Sequence, residues 1–247
     1  MKAVLFDLDG TLLPMDQDAM IESYMRHLAG YMAQYEYEPK KLVKTVWQGT
    51  GAMMTDDSGK TNETVFWDLF RQVYGPRADT DKPLFEEFYA TEFGKVRTSC
   101  GFNPASAELV AWLKEQGIRL ILATQPLFPE IATRQRIRWA GLDPADFEIV
   151  TTYENSRYCK PDPRYYRDIL AQAGLAPEEC VMVGNDARED MAEGCAEWFD
   201  PEMAKWIWRF NRDNRKRYHE LLESLEGKQV YILKNRREVN RFLKELT

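Results

Sequence analysis

Histidine and cysteine, the residue types that most often bind zinc, are scarce in this 247-residue sequence. The two histidines are His27 and His219, and the four cysteines are dispersed without a Cys-x-x-Cys pair. We therefore expect neither a zinc site nor a framework of disulfide bonds. Cys159 lacks a nearby histidine in the sequence, which makes it a weak candidate for a catalytic thiol.

Long apolar runs are also missing. No stretch approaches the roughly 18 residues that a membrane helix requires. The sequence passes from Met1 and Lys2 directly into a short apolar run, which leaves no room for a cleavable signal peptide. The sequence therefore predicts a cytoplasmic protein that does not bind membranes, either as a monomer or as a homodimer.

Basic residues are fewer than acidic ones, which gives a net charge of −7, but the basic residues are concentrated near the C-terminus. Residues 205–247 contain twelve Lys and Arg against six Asp and Glu. Because acidic residues are interleaved with the basic ones, we do not expect nucleic acid as a partner. The tryptophan-rich stretch 198–227 is expected to pack within the protein, and a partner-binding face is the alternative.

The order of the apolar patterns predicts an α/β protein. Buried strands are predicted at 3–6, 118–124, 147–152 and 180–186. Amphipathic helices follow at 105–116, 129–140 and 163–173, and another begins near residue 188. Alternating strands and helices predict a Rossmann-like, doubly wound parallel sheet.

Residues 15–100 interrupt this alternation with an all-helical pattern. Helices are predicted at 16–35, 38–47, 63–74 and 83–95, with a polar loop at 49–62. We interpret this segment as an inserted helical cap domain, residues 15–100. The catalytic core would then comprise 1–14 and 101–247, ending in a strand at 230–233 and a helix at 236–246.

Polar residues follow the predicted strands at one edge of the sheet. They are Asp7, Asp9, Thr124, Lys160, Asp186 and Asp190. The carboxyl ends of parallel strands are where α/β sheets bind ligands. Two close carboxylates at 7 and 9 need a cation or a shared proton, and a hard divalent cation is the natural partner.

Each of these residues also has an ordinary structural interpretation. Residues 7–11 could form a strand-ending turn, Thr124 could be a strand residue and Lys160 a solvated loop lysine. Their shared position at successive strand ends favours a phosphoryl-transfer site.

Four motifs in this order resemble the haloacid dehalogenase superfamily over the chain to about residue 197. They are FDLDGT, Thr124 ending LILAT, Lys160 in CKPDP, and VGNDARED. The resemblance implies a Rossmann-like core with a cap. It also implies that Asp7 is a nucleophile that forms an aspartyl-phosphate and that Asp9 is the general acid and base.

By the same resemblance, Mg²⁺ would be bound by Asp7, the main-chain carbonyl of Asp9, and Asp186. Thr124 and Lys160 would bind phosphoryl oxygens, with Gln125 beside them in the substrate site. Asp190 would support Lys160 or the metal through water, and the adjacent Glu189 is the alternative for this role.

Two departures from the family pattern leave questions open. The family often has asparagine after the threonine, whereas this chain has Gln125 and Pro126. Asn185 separates Gly184 from Asp186, so either Asn185 or Asp186 could face the metal. We favour Asp186 because its spacing to Asp190 is kept.

The sequence thus predicts magnesium-dependent hydrolysis of a small phosphomonoester. The alternatives are a phosphomutase or dehalogenase of the same superfamily, or a non-catalytic interaction protein that uses the basic C-terminal part. A dehalogenase has no need of a second acid, so Asp9 argues against that alternative.

Overall fold

The core is built on a four-stranded parallel sheet. The structure of the protein, a computed structural model, describes residues 1–186 and residue 190. The strands are β1 (Ala3–Phe6), β2 (Arg119–Leu122), β3 (Ile149–Val150) and β4 (Cys180–Val183). They lie in the order β3-β2-β1-β4, and every neighbouring pair is parallel. The predicted parallel α/β core is confirmed.

Local sequence signals place the helices that connect these strands. The bounds of the three connecting helices are α5 (Pro104–Glu115), α6 (Glu130–Trp139) and α7 (Pro163–Ala173), and the four cap helices before them are numbered α1 to α4 below. The Asn103 side chain accepts a hydrogen bond from the Ala105 amide and caps α5. The Asp162 side chain caps α7 in the same way, and Gly174 ends that helix with a φ of 63°.

Between β1 and α5 the chain forms the helices of the cap. They are α1 (Gln17–Met32), α2 (Pro39–Thr55), α3 (Asn62–Tyr74) and α4 (Arg77–Thr91), followed by a 3-10 helix at Phe93–Ser99. Aromatic rings fill much of their interior. Phe70 meets Phe85 edge-on at 5.2 Å between centroids, and Phe93 stacks on Trp139 of α6 at 5.2 Å.

The first residues of α3 attach the cap to the core. The amides of Asn62 and Glu63 donate hydrogen bonds to the carbonyls of Ser156 and Tyr153, each at 2.8 Å. The buried Asn62 side chain donates to the Pro126 carbonyl and to the Cys159 sulfur. Cys159 therefore contributes to packing between cap and core. The division into cap and core domains at residues 15 and 100 stays a prediction.

Two of the predicted cap elements are wrong in their bounds. The loop predicted at 49–62 is helical as far as Thr55, and its first glycine serves packing. A Cβ on Gly49 would lie 2.5 Å from Cδ2 of Phe66, so the glycine lets α2 approach α3 closely.

The fourth cap helix begins at Arg77 and contains Pro83, where the prediction had it begin at Pro83. Ion pairs stabilise the turns before the proline. Arg77 pairs with Asp81 at 2.6 Å, and Arg71 of α3 pairs with Asp79 at 2.7 Å.

The predictions for 198–227, 230–233 and 236–246, and for a helix from residue 188, lie outside the described residues. Within the part of the chain that the structure describes, no helix is long and apolar enough to cross a membrane.

Candidate active site

Three neighbouring strands end at one level of the sheet. Phe6 is in register with Leu122 of β2 and with Val183 of β4. The residues that follow these strands therefore leave the sheet together. This register brings Asp7 to the centre of the edge, as the sequence predicts.

Asp7 is buried and is held at both carboxylate oxygens. Its amide donates to the Val183 carbonyl at 2.8 Å. Oδ1 accepts a hydrogen bond from Nζ of Lys160 at 2.9 Å, and Oδ2 accepts one from Oγ1 of Thr11 at 3.0 Å. These contacts fix the direction of the carboxylate and place a cation beside its negative charge.

Lys160 lies between two carboxylates, with its side chain only 1% exposed. Its Nζ contacts Oδ1 of Asp7 at 2.9 Å and Oδ1 of Asp190 at 2.6 Å. Burial alone would lower the pKa of Lys160, but the charges of Asp7 and Asp190 outweigh it and hold that pKa well above its usual range. Lys160 is therefore a permanent cation at the site.

Gln125 holds the loop that carries this lysine. Its Oε1 accepts a hydrogen bond from the Lys160 amide at 2.9 Å, and its Nε2 donates to the Lys160 carbonyl at 3.1 Å. The two bonds fix the Lys160 backbone against the chain that follows β2. A role for Gln125 in binding substrate stays a prediction.

Asp190 reaches the site because the fourth motif has a glycine at position 184. A Cβ on Gly184 would lie 1.9 Å from Oδ2 of Asp190, so no other residue fits. The same oxygen accepts a hydrogen bond from the Asp186 amide at 3.1 Å. Burial raises the pKa of Asp190 to about 6, although Lys160 opposes the shift.

Asn185 packs against the turn that follows Asp9. Its Oδ1 lies 3.2 Å from Oγ1 of Thr11. Gly10 has a φ of +85°, and a Cβ there would lie 2.5 Å from Nδ2 of Asn185. The Asn185 amide thus occupies the space beside this turn, and the choice of Asp186 over Asn185 as a metal ligand stays a prediction.

Thr124 presents an unsatisfied hydroxyl at the end of β2. Its carbonyl accepts hydrogen bonds from Tyr165 and Thr151 at 2.7 and 2.8 Å, which fixes the backbone. Its Oγ1 is buried and has no hydrogen-bond partner in the described structure. Leaving such a group unpaired costs about 1–3 kcal/mol, so this atom is suited to an oxygen of a bound ligand.

Asp9 is paired with an arginine that the sequence analysis missed. Arg136 of α6 is 1% exposed, and its Nη1 donates to Oδ2 of Asp9. The guanidinium also lies over the Phe128 ring at 4.5 Å and donates to Oγ1 of Thr133. Burial raises the pKa of Asp9, and Arg136 offsets only part of that shift.

The other carboxylate oxygen of Asp9 is free. Oδ1 is buried and, like Oγ1 of Thr124, has no partner among the described residues. An acid held at one oxygen with the other available can exchange a proton with a bound group.

The predicted metal ligands are all oxygens, which suits a hard cation such as Mg²⁺. They comprise the carboxylates of Asp7 and Asp186 and the main-chain carbonyl of Asp9. Residues 1–186 and 190 hold no group of three or more His, Cys, Asp or Glu side chains placed to bind a metal. The predicted set has only two such side chains, those of Asp7 and Asp186, and it stays a prediction.

The chain is similar to known proteins over most of its length. A family model described as haloacid dehalogenase-like hydrolase matches residues 1–194. Pyrophosphatase PpaX from Bacillus velezensis is 24% identical over 190 residues, covering 77% of each chain. Phosphoglycolate phosphatase 1 from Pseudomonas aeruginosa is 25% identical over 206 residues, covering 77% of this chain and 64% of its own.

The fold is also found among solved structures. The crystal structure of a 2-haloacid dehalogenase from Pseudomonas syringae aligns with a TM-score of 0.51 at 20% identity. The alignment covers 78% of this chain and 82% of that protein. It supports the likeness of the fold.

Proposed function

The chain belongs to the haloacid dehalogenase-like hydrolases, and from this premise we propose that it is a magnesium-dependent phosphatase that hydrolyses a small phosphomonoester through an aspartyl-phosphate. The observation that carries the proposal is the buried Asp7 carboxylate, held by Lys160 at 2.9 Å and by Thr11 at 3.0 Å. An anionic nucleophile can approach an anionic phosphate only where cations neutralise both.

In the first step a carboxylate oxygen of Asp7 attacks phosphorus, and the bond from phosphorus to the leaving oxygen breaks. Asp9 donates its proton to that oxygen, so the product leaves as an alcohol. The phosphoryl group is then bound covalently to Asp7. Lys160 and the unpaired hydroxyl of Thr124 bind its oxygens.

In the second step Asp9, now a carboxylate, takes a proton from water. The water oxygen attacks phosphorus, and the bond between phosphorus and the Asp7 oxygen breaks. Inorganic phosphate is released and both aspartates return to their starting states. Mg²⁺ bound by Asp7, Asp186 and the Asp9 carbonyl would neutralise charge on the phosphoryl group.

The names of the relatives support this reaction class. They are called pyrophosphatase, phosphoserine phosphatase and phosphoglycolate phosphatase. The dehalogenase alternative is weaker, because attack on carbon gives no role to the free Oδ1 of Asp9. In this proposal the cap, residues 15–100, closes over the site and excludes water from the nucleophile.

The test is release of inorganic phosphate from 4-nitrophenyl phosphate, measured with Mg²⁺ and with a chelator. We expect turnover only with Mg²⁺ and none from the Asp7→Asn variant. A phosphomutase would instead transfer the phosphoryl group to a sugar phosphate supplied in excess. Metal-independent turnover, or full turnover by Asp7→Asn, would contradict the proposal.

A further inference from the structure

A cavity of about 400 Å³ lies among the cap helices and the loop after β2. Its volume falls within the range of small-molecule sites in proteins. The cavity is lined by residues of α1, α2, α3 and α4 and of the loop after β3. Asp7, Asp9, Thr124 and Lys160 do not line it, so it is distinct from the phosphoryl site.

Aromatic rings dominate its wall. They include Tyr24, Trp47, Phe66, Trp67, Tyr89 and Phe128. Trp67 is buried and has Nζ of Lys82 over its ring at 5.7 Å, whereas Trp47 is 49% exposed. Aromatic faces attract organic cations, with Trp the strongest partner.

The charges on the wall are all negative. Four glutamates line the cavity, and no Lys, Arg or His does so among the described residues. Glu63 is neutralised by Lys82 and Glu130 by Arg134, each at 2.6 Å. A phosphate group would be repelled from this lining.

Two of the glutamates have no basic partner in the described part of the chain, although burial raises the pKa of one of them, Glu154. Glu86 and Glu154 form no ion pair with a residue that the structure describes. Glu154 is half-buried, and its carboxylate accepts hydrogen bonds from the Glu130 amide at 2.9 and 3.1 Å. Unneutralised carboxylates beside aromatic faces form a site suited to an ammonium group on an apolar body.

The cavity shares a wall with the acid of the proposed reaction. Phe128 lines it, and the Phe128 ring carries the Arg136 guanidinium at 4.5 Å. Arg136 in turn donates to Asp9. Through Phe128 and Arg136 the cavity therefore borders the residue that would protonate the leaving group.

We propose that this cavity binds the organic part of the substrate, and that this part is an apolar group bearing an amine or quaternary ammonium. The inference rests on the proposed phosphatase function. The substrate class is then the phosphate esters of amino alcohols or aminophenols with an apolar or aromatic body.

The matched probes are 4-(2-aminoethyl)phenyl phosphate and 4-ethylphenyl phosphate, which differ only in the amine. We expect kcat/KM for the amine ester to exceed that for the neutral ester by about tenfold. Glu86→Gln and Glu154→Gln should each reduce this ratio by about threefold. Glu22→Gln on α1, an exposed glutamate outside the cavity, should leave the ratio unchanged.

Equal kcat/KM values for the two esters in the unaltered protein would overturn the inference, while turnover of both would leave the phosphatase function standing. If neither ester nor 4-nitrophenyl phosphate is hydrolysed, the proposed function fails and binding decides the inference. Phenethylamine should then quench tryptophan fluorescence at a lower concentration than 2-phenylethanol does, and Glu86→Gln should remove the difference. Equal binding of the two compounds would overturn the inference.

Discussion

The buried pair between Arg136 and Asp9 gives the sharpest prediction for this fold. Arg136→Met keeps a long apolar side chain against Phe128 but removes the cation. Asp9 is then left as a buried carboxylate without a partner at Oδ2. Breaking a buried ion pair from one side costs about 3–5 kcal/mol.

We expect a loss near 3 kcal/mol in the free energy of unfolding, the lower end of that range, because 16% of the Asp9 side chain is exposed. Urea denaturation in the presence of a chelator measures this loss. Arg138→Met, an exposed position on the same helix, is the control and should change stability by less than about 0.5 kcal/mol.

The double variant Asp9→Asn with Arg136→Met tests the cause of the loss. A neutral amide needs no cation, so the double variant should recover at least about 1 kcal/mol relative to Arg136→Met alone. No recovery, or a loss below about 1 kcal/mol for Arg136→Met, would refute the assignment of a buried pair. Arg136→Met should also slow esters with poor leaving groups more than 4-nitrophenyl phosphate, since only the former need a positioned acid.

Three further predictions concern the site and its scaffold. Asp7→Asn should form no phosphoenzyme in rapid-quench labelling with borohydride trapping, whereas Asp9→Asn should lower turnover about a hundredfold but still form phosphoenzyme from an activated ester. Label on any residue other than Asp7 would refute the mechanism. Gly184→Ala should lower turnover at least about tenfold, because its Cβ would lie 1.9 Å from a carboxylate oxygen of the fourth motif; Gly51→Ala, with open space at its Cβ, should not. A hydrogen bond from the Arg164 guanidinium lowers the pKa of Asp162, so the Asp162 carboxylate stabilises the fold above its ordinary pKa near 3.8 and this stabilisation is lost as pH falls through the lowered pKa. Thermal melts should show that acid lowers the stability of Asp162→Asn less than that of the unaltered protein, and an equal decrease would contradict this.

The sequence predicted the core well because its signals there are local. β1 is buried at all four positions and was recognised as an apolar run. The caps Asn103 and Asp162 act within two residues of their own position. The motif residues then meet because parallel strands place their ends at one edge, which topology alone requires.

The cap was harder to predict because its helices depend on contacts between segments. Gly49 resembles a loop residue by composition, yet it lies buried in a helix because Phe66 occupies the space of its missing side chain. Tertiary packing overrides local propensity at this position. The identity of the neighbour across the helix interface is not contained in the local pattern.

Arg136 shows where a signal existed and what it could not say. Ala132, Thr133, Arg136 and Ile137 are all buried and repeat at helical spacing, so the arginine stands on the buried face of α6. A charge on a buried face requires a buried partner of opposite sign. The pattern can therefore predict that a carboxylate lies opposite α6, but Asp7, Asp9 and Asp190 all satisfy that requirement in the sequence. Lys160 accounts for two of them through its contacts at 2.9 and 2.6 Å, and this leaves Asp9 for Arg136. The partner of Arg136 therefore follows from charge balance only when the position of Lys160 is known.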